Sequence, residues 1–185
     1  GVGAGLAVIY GFVTRRLTFR ELIESVRGSV VTTATVMLIL IAAHLLNPFF
    51  ALTHITETVG LFLDTLNLGV LGTLAFILLV YLVLGCFLEG FAMLVLTLPI
   101  FFPVILEMGI DPIWFGVLVV LTLEMGLISP PVGINVFIVK SVAKSVPLGQ
   151  IFRGVLPFWL AMIVVLMILI AFPQISLFLP NTMFN

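Results

Sequence analysis

The chain has 185 residues, of which 63% are hydrophobic and only 8% are charged, and its formal net charge is -1. An ordinary soluble domain is roughly half apolar and about a quarter charged, so these few charges cannot cover a water-facing surface. The composition therefore excludes a soluble globular protein and predicts an all-α integral membrane protein, a polytopic helical bundle. Because there is no basic patch, we expect no nucleic-acid partner.

We interpret residues 1–14 as the end of a span and predict a short amphipathic helix at 18–28. Thr18 and Glu21 form a capping box for this helix, and its apolar residues recur at the spacing of one helix face. A helix of this kind lies in the plane of the membrane interface. We therefore predict a membrane-surface connector that leads into a span at 29–50.

The segment 51–67 contains Glu57 and Asp64 and is short for a membrane span. A bilayer-spanning helix needs about 20 mostly apolar residues. We interpret the segment as an amphipathic helix on the external face, and a span is the alternative.

Two apolar arms in the region 69–106 are joined by a short polar tip, GCFLEG, that contains Cys86 and Glu89. Irregular backbone inside a bilayer needs protein or water around it, and a sharp tip of this kind is typical of a re-entrant hairpin. Two full spans joined by a loop are the alternative. Glu89 is an intramembrane carboxylate, which is a functional candidate by default, and it either binds a cation or stabilises the tip.

The region 112–146 is a second apolar stretch with an irregular centre, GLISPPVGIN. Its adjacent prolines remove two backbone donors, and we predict one membrane span that is broken in its middle. Free carbonyls at such a break, with the oxygens of Ser129 and Asn135, are ligands suited to an alkali cation. A proline kink that serves only packing is the alternative.

Glu124 is the other intramembrane carboxylate, five residues before Ser129. It either contributes to the site or pairs with a basic residue in a missing part of a larger protein. We expect a coupling sodium ion, if one binds, near Gly85, Glu89 and Ser129, and no other cofactor. The candidate cation- and substrate-binding residues are Gly85, Glu89, Gly126, Ser129, Pro130, Pro131, Gly133 and Asn135, with Cys86 and Glu124 as further possibilities.

Basic residues occur in two clusters, and cytoplasmic loops of membrane proteins are enriched in positive charge. We therefore place both clusters on the cytoplasmic side, with a last span at 152–173 that leads to the external face. The first cluster is Arg15, Arg16, Arg20 and Arg27, and the second is Lys140, Lys144 and Arg153.

Motifs of enzyme chemistry do not occur in the sequence. There is no His-Glu-x-x-His pair, no closely spaced Cys and His set, and no Gly-rich Walker loop. The chain is therefore not expected to be an enzyme or to hydrolyse ATP.

The run GLISPPVGIN followed by VFIVKSVA resembles the signature of the large membrane subunit of TRAP (tripartite ATP-independent periplasmic) transporters. LGCFLEG followed by LTLPIFFPV resembles that family's hairpin region, although the family often has Met and Asp at the positions of Cys86 and Glu89. MGIDPIWFGVLVV, FRGVLPFWLAMIVV and YGFVTRRLTFREL resemble the surrounding segments, so the resemblance covers nearly the whole chain.

This resemblance implies that the chain is the carboxyl-terminal half of the large subunit, the second of two inverted repeats. The implied partners are the remaining half of the large subunit, a small membrane subunit, a periplasmic substrate-binding protein and the lipid bilayer. The implied location is the bacterial inner (cytoplasmic) membrane, which the subunit crosses several times.

The resemblance also implies a function: sodium-coupled import of a small organic anion, such as a C4-dicarboxylate or sialic acid, by an elevator motion. A passive channel, or a structural membrane subunit without its own ion site, is the alternative.

Overall fold

The computed structural model describes residues 1–183, without the side chains of Asn47 and Ala51. The described chain is α-helical, which confirms the all-α class. Three of its helices are long and apolar enough to cross a membrane: Phe19–Phe50, Gly90–Glu107 and Leu148–Ala171. In order the helices are α1 (Val2–Val13), α2 (Phe19–Leu52), α3 (Ile55–Thr65), α4 (Gly69–Gly85), α5 (Gly90–Glu107), α6 (Pro112–Ile128), α7 (Ile134–Val142), α8 (Leu148–Ala171) and α9 (Gln174–Met183).

The chain divides into two compact units, Gly1–Leu45 and Leu46–Asn185. In the first unit the predicted capping box is present: the backbone N–H of Thr18 donates to Oε2 of Glu21 at 2.7 Å, and the N–H of Glu21 donates to Oγ1 of Thr18 at 3.3 Å. These bonds satisfy amides at the start of α2 that have no partner within the helix.

The boundary predicted at residue 28 is not a helix end, because α2 runs without interruption from Phe19 to Leu52. Gly28 costs a helix only about 1 kcal/mol relative to alanine, which is too little by itself to end a helix. The division of α2 into an interfacial part at 18–28 and a span at 29–50 stays a prediction.

The core of the second unit lies among α4, α5 and α6. The ring of Tyr81 lies 5.7 Å from that of Phe101 and 6.4 Å from that of Phe115, measured between centroids. The hydroxyl groups of Tyr81 and Thr97 are 2.8 Å apart, so both buried polar groups have partners. Since lipid is as apolar as these side chains, close packing and hydrogen bonds, not water exclusion, hold such helices together.

The lengths of α4 and α5 are compatible both with a re-entrant hairpin and with two full spans. Helix α5 has 18 residues and continues through Pro99 and Pro103, so it extends about 27 Å and could cross a bilayer. Helix α4 has 17 residues and is just shorter. The re-entrant hairpin therefore stays a prediction, as does the membrane position of α3, which lies within the predicted segment 51–67.

Helix α6 begins as its sequence indicates, with Pro112 at the first position. Oδ1 of Asp111 accepts hydrogen bonds from the backbone N–H groups of Ile113 at 2.8 Å and Trp114 at 3.1 Å. The predicted break is also present, because α6 ends at Ile128 and α7 begins at Ile134.

The spacing of four residues between Lys140 and Lys144 would place both on one face of a continuous helix, but the structure does not. Helix α7 ends at Val142, and Nζ of Lys140 instead donates to the carbonyl oxygens of Lys144 and Val146, each at 2.7 Å. Both carbonyls lie beyond the end of α7, so the Lys140 side chain holds the connection to α8 against the last turn of α7.

Two features of the carboxyl-terminal part differ from the predicted boundaries. Helix α8 begins at Leu148 instead of 152, because Pro147 provides the extended residue before its first turn. Helix α9, from Gln174 to Met183, was not predicted. The short connection at Phe172 and Pro173 separates α9 from α8.

Candidate functional site

The tip between α4 and α5 is residues 85–90, of which 86–89 are not helical. Glu89 is the N-cap of α5: its Oε1 accepts from the N–H of Phe91 at 3.0 Å, and its Oε2 accepts from the N–H of Ala92 at 2.9 Å. A negative charge at this end also complements the helix dipole. Glu89 therefore stabilises the tip, one of the two roles considered for it, and its side chain remains exposed.

The end of α4 lies directly against the end of α6 at Gly85 and Gly126. A Cβ atom added to Gly126 would lie 2.8 Å from both Cα and the carbonyl carbon of Gly85, and 3.0 Å from the carbonyl oxygen of Leu82. Real Cβ atoms do not approach backbone this closely, so only glycine permits this contact. Small residues of this kind allow membrane helices to meet backbone to backbone.

The tip also contacts the break through Cys86. Its buried Sγ lies 3.3 Å from the carbonyl oxygen of Leu82 and 3.6 Å from that of Pro130. The structure thus brings together four of the candidate residues: Gly85 and Cys86 of the tip, Gly126 near the end of α6, and Pro130 of the break.

The break between α6 and α7 has an extended backbone at Ser129, a cis peptide bond between Pro130 and Pro131, and a left-handed residue at Gly133. Gly133 has φ of +58°, and a Cβ there would lie 2.9 Å from the carbonyl oxygen of Ser129, so both conformation and space require glycine. Because prolines have no N–H, the carbonyl of Leu127 has no helical donor from Pro131.

Ser129 is buried, and its hydroxyl is held from two sides. Oγ donates to the carbonyl oxygen of Met125 at 2.6 Å and accepts from Nε1 of Trp159 in α8 at 2.7 Å. A hydroxyl has one proton and two lone pairs, so one lone pair of Oγ stays available for a ligand.

Trp159 was not among the residues predicted from the sequence. The available signal was general, since a buried indole N–H usually finds an acceptor. The acceptor of the Trp159 N–H is Ser129, which is 30 residues away in the chain. No local sequence pattern relates the two positions.

Three other candidates are not joined to the break. Within the described part of the chain, no side-chain hydrogen bond links Glu89, Glu124 or Asn135 to residues 129–133. Glu124 is exposed on α6, and Asn135 is half-buried in the first turn of α7. Their roles as ligands stay predictions.

A broken helix whose non-helical centre lies against a glycine-containing tip is the arrangement expected around GLISPPVGIN. The sequence model described as "Tripartite ATP-independent periplasmic transporter, DctM component" matches residues 1–175. The chain belongs to this family. The tip and the break both lie inside the matched range, so the family resemblance noted from the sequence is confirmed.

Individual relatives agree with the DctM assignment. The chain is 34% identical over 183 residues to a C4-dicarboxylate TRAP transporter large permease protein of Pseudomonas aeruginosa, covering 96% of this chain and 43% of that protein. It is 34% identical to a sialic acid TRAP transporter large permease protein of Vibrio cholerae, covering 91% and 39%.

An isethionate TRAP transporter permease protein of Oleidesulfovibrio alaskensis is 31% identical, with 95% of this chain and 28% of that protein covered. The chain thus spans less than half the length of these DctM relatives. Membership in the family and the apolar helices make it a multi-pass membrane protein.

Proposed function

We propose that the chain is part of the large permease of a secondary transporter that imports small organic anions, driven by sodium. The observation that carries this proposal is the contact of the α4–α5 tip with the end of α6 at Gly85 and Gly126, and with the break at Cys86 and Pro130. Broken helices in transporters present backbone carbonyls and helix ends to ions and substrates near the middle of the membrane.

The substrate class is supported by the relatives. C4-dicarboxylates and sialic acid, named for two of them, are small carboxylates that carry negative charge at neutral pH. Uptake of such an anion against a negative cell interior requires an energy source, and a co-transported cation supplies it.

The proposed sodium site uses oxygen ligands at the tip and the break. Ser129 contributes the unused lone pair of its hydroxyl, and carbonyl oxygens left without helical donors, such as that of Leu127, contribute others. Glu89 adds a negative charge at the tip. In this proposal the glycines allow the backbone to approach the ion, and Pro130 and Pro131 keep the carbonyls free. Asn135 and Glu124 are the residues proposed to bind the substrate.

An elevator motion is supported by the packing of this region. Because Tyr81, Phe101 and Phe115 join α4, α5 and α6 in one core, the tip and the break can move together as a rigid body. The partners proposed for this motion are the rest of the large subunit, a small membrane subunit and the surrounding lipid. A periplasmic substrate-binding protein delivers the anion to the inner membrane.

Uptake by the full transporter in proteoliposomes tests the function. Labelled C4-dicarboxylates and sialic acid are each offered with and without an inward sodium gradient, and with and without the binding protein. Uptake that requires both supports the proposal, whereas non-saturable uptake that requires neither identifies a passive channel.

Ser129→Ala tests the site, with Ser141→Ala as the matched control. Both hydroxyls donate to a helix carbonyl, Ser129 to Met125 and Ser141 to Ile138 at 2.7 Å, but Ser141 is exposed on α7. We expect S129A to lose sodium-dependent uptake with normal membrane insertion, and S141A to retain it. Equal uptake by the two variants would reject Ser129 as a ligand.

A further inference from the structure

A groove lies beside the break, between the end of α6 and the first turns of α8, with a volume of about 310 Å³. We propose that it binds one anionic phospholipid, with the phosphate at Arg153 and an acyl chain along the apolar floor. This inference concerns lipid binding and does not depend on the transport activity proposed above.

The lining of the groove is apolar except at one end. Ile128 and Pro130 form one wall, and Phe152, Val155, Leu156 and Trp159 form the other, with Arg153 as the charged residue. A lipid acyl chain fits between these two walls, because the apolar lining offers close packing but almost no hydrogen-bonding groups.

Arg153 supplies the charge complementarity that selects an anionic headgroup. Its side chain is exposed, and in the described part of the chain the ion pairs are Arg20–Glu24 and His54–Glu57, neither of which involves it. No carboxylate is among the described residues that line the groove. A guanidinium binds phosphate oxygens through two parallel N–H donors.

The depth of Arg153 in the membrane also matches a headgroup. Helix α8 runs from Leu148 to Ala171, and the uncharged part after Arg153 extends about 27 Å, close to the roughly 30 Å of a hydrocarbon core. Arg153 therefore lies at the boundary between hydrocarbon and headgroups. It belongs to the basic cluster predicted on the cytoplasmic side, and basic pockets between helices on that side bind anionic lipids.

The groove touches the candidate site. Pro130 belongs to the break, and Trp159 donates to Ser129. A lipid bound here contacts both residues, so the lipid composition of the membrane acts on the geometry of the break.

Photolabelling of the full-length transporter in bilayers tests this proposal. The probes are phosphatidylglycerol and phosphatidylcholine that carry the same diazirine-modified acyl chain, and labelled peptides are identified by mass spectrometry. We expect phosphatidylglycerol to label the peptides around Pro130 and 152–159 about fivefold more than phosphatidylcholine, as one basic contact implies.

Arg153→Gln should abolish this preference, Arg153→Lys should restore most of it, and Lys144→Gln should leave it intact. Lys144 is the matched control because it is an exposed basic residue of the same cluster that does not line the groove. These results with an unchanged melting temperature support the proposal.

Three outcomes overturn it. Equal labelling by the two probes means that the groove takes any lipid chain, and absence of labelling means that another part of the transporter covers it. Displacement of the phosphatidylglycerol probe by millimolar inorganic phosphate means that Arg153 binds a free anion and the acyl chain contributes nothing.

Discussion

The indole Nε1 of Trp159 donates a 2.7 Å hydrogen bond to Oγ of Ser129, and this bond joins α8 to the point where α6 ends. A second indole joins the same two helices, since Nε1 of Trp114 in α6 donates to the carbonyl oxygen of Leu169 in α8 at 2.8 Å. Only the first bond reaches the break. Substituting each tryptophan in turn therefore separates the effect of lost helix packing from the effect on the candidate sodium site.

Trp159→Phe should weaken sodium-dependent uptake, because the Ser129 hydroxyl is then held only by its bond to the carbonyl of Met125. A net hydrogen-bond contribution of about 0.5–1.5 kcal/mol raises the sodium concentration for half-maximal uptake by a factor of about two to ten. Sodium titration of uptake in proteoliposomes measures this change.

The control is Trp114→Phe, which removes the α6–α8 bond at Leu169 and leaves Ser129 untouched. We expect a similar loss of thermal stability in both variants and an unchanged sodium requirement in W114F. If the two variants shift the sodium requirement equally, Trp159 acts only through helix packing.

Gly126→Ala should disrupt the contact between the tip and the break, because its new Cβ would lie 2.8 Å from backbone atoms of Gly85. Overpacking of this kind costs about 1–3 kcal/mol, and here no flexible side chain can move aside. We expect a lower melting temperature of the detergent-solubilised transporter and a loss of uptake.

Gly116→Ala is the matched control on the same helix, since a Cβ there would have nothing within 4 Å. Alanine favours a helix by up to about 1 kcal/mol over glycine, so G116A should melt at the same or a higher temperature and retain uptake. A stable, active G126A would show that α4 and α6 need not approach so closely.

Glu89→Asp and Glu89→Asn separate the two roles of the Glu89 carboxylate. Aspartate and asparagine are comparable N-caps, so both should preserve the start of α5 and melt at similar temperatures. We expect E89D to keep its sodium dependence, and E89N to require more sodium for half-maximal uptake because the charge at the tip is gone. Identical sodium titrations would limit Glu89 to capping.

Lys140→Gln should loosen the connection between α7 and α8. Nζ of Lys140 holds the carbonyl oxygens of Lys144 and Val146, and a hydrogen bond from a charged group contributes about 1.5–3 kcal/mol before solvent screening. Hydrogen exchange at residues 143–147 should become about tenfold faster, as measured by mass spectrometry.

Lys144→Gln should leave exchange in this segment unchanged, because only the backbone carbonyl of Lys144 takes part in the contact. Comparable acceleration in both variants would mean that general charge loss, and not the bonds of Lys140, controls the connection.

Local features could be predicted from the sequence because they depend on residues close together in the chain. The capping box of Thr18 and Glu21, the start of α6 at Asp111 and the break after Ile128 follow from side-chain oxygens near free amides and from prolines without N–H. The boundary predicted at residue 28 is not a helix end, since one glycine costs only about 1 kcal/mol and α2 continues through it.

The sequence by itself determined that this is a helical membrane protein of the DctM family, because composition, apolar length and one specific motif suffice for that. Only the tertiary structure decided which residues meet: Gly85 with Gly126, Cys86 with Pro130, and Ser129 with Trp159. The residues of each pair are 30 or more positions apart and belong to different parts of the fold. Such contacts depend on how whole helix surfaces pack, and no periodicity within a single helix specifies its neighbour or the register of their contact.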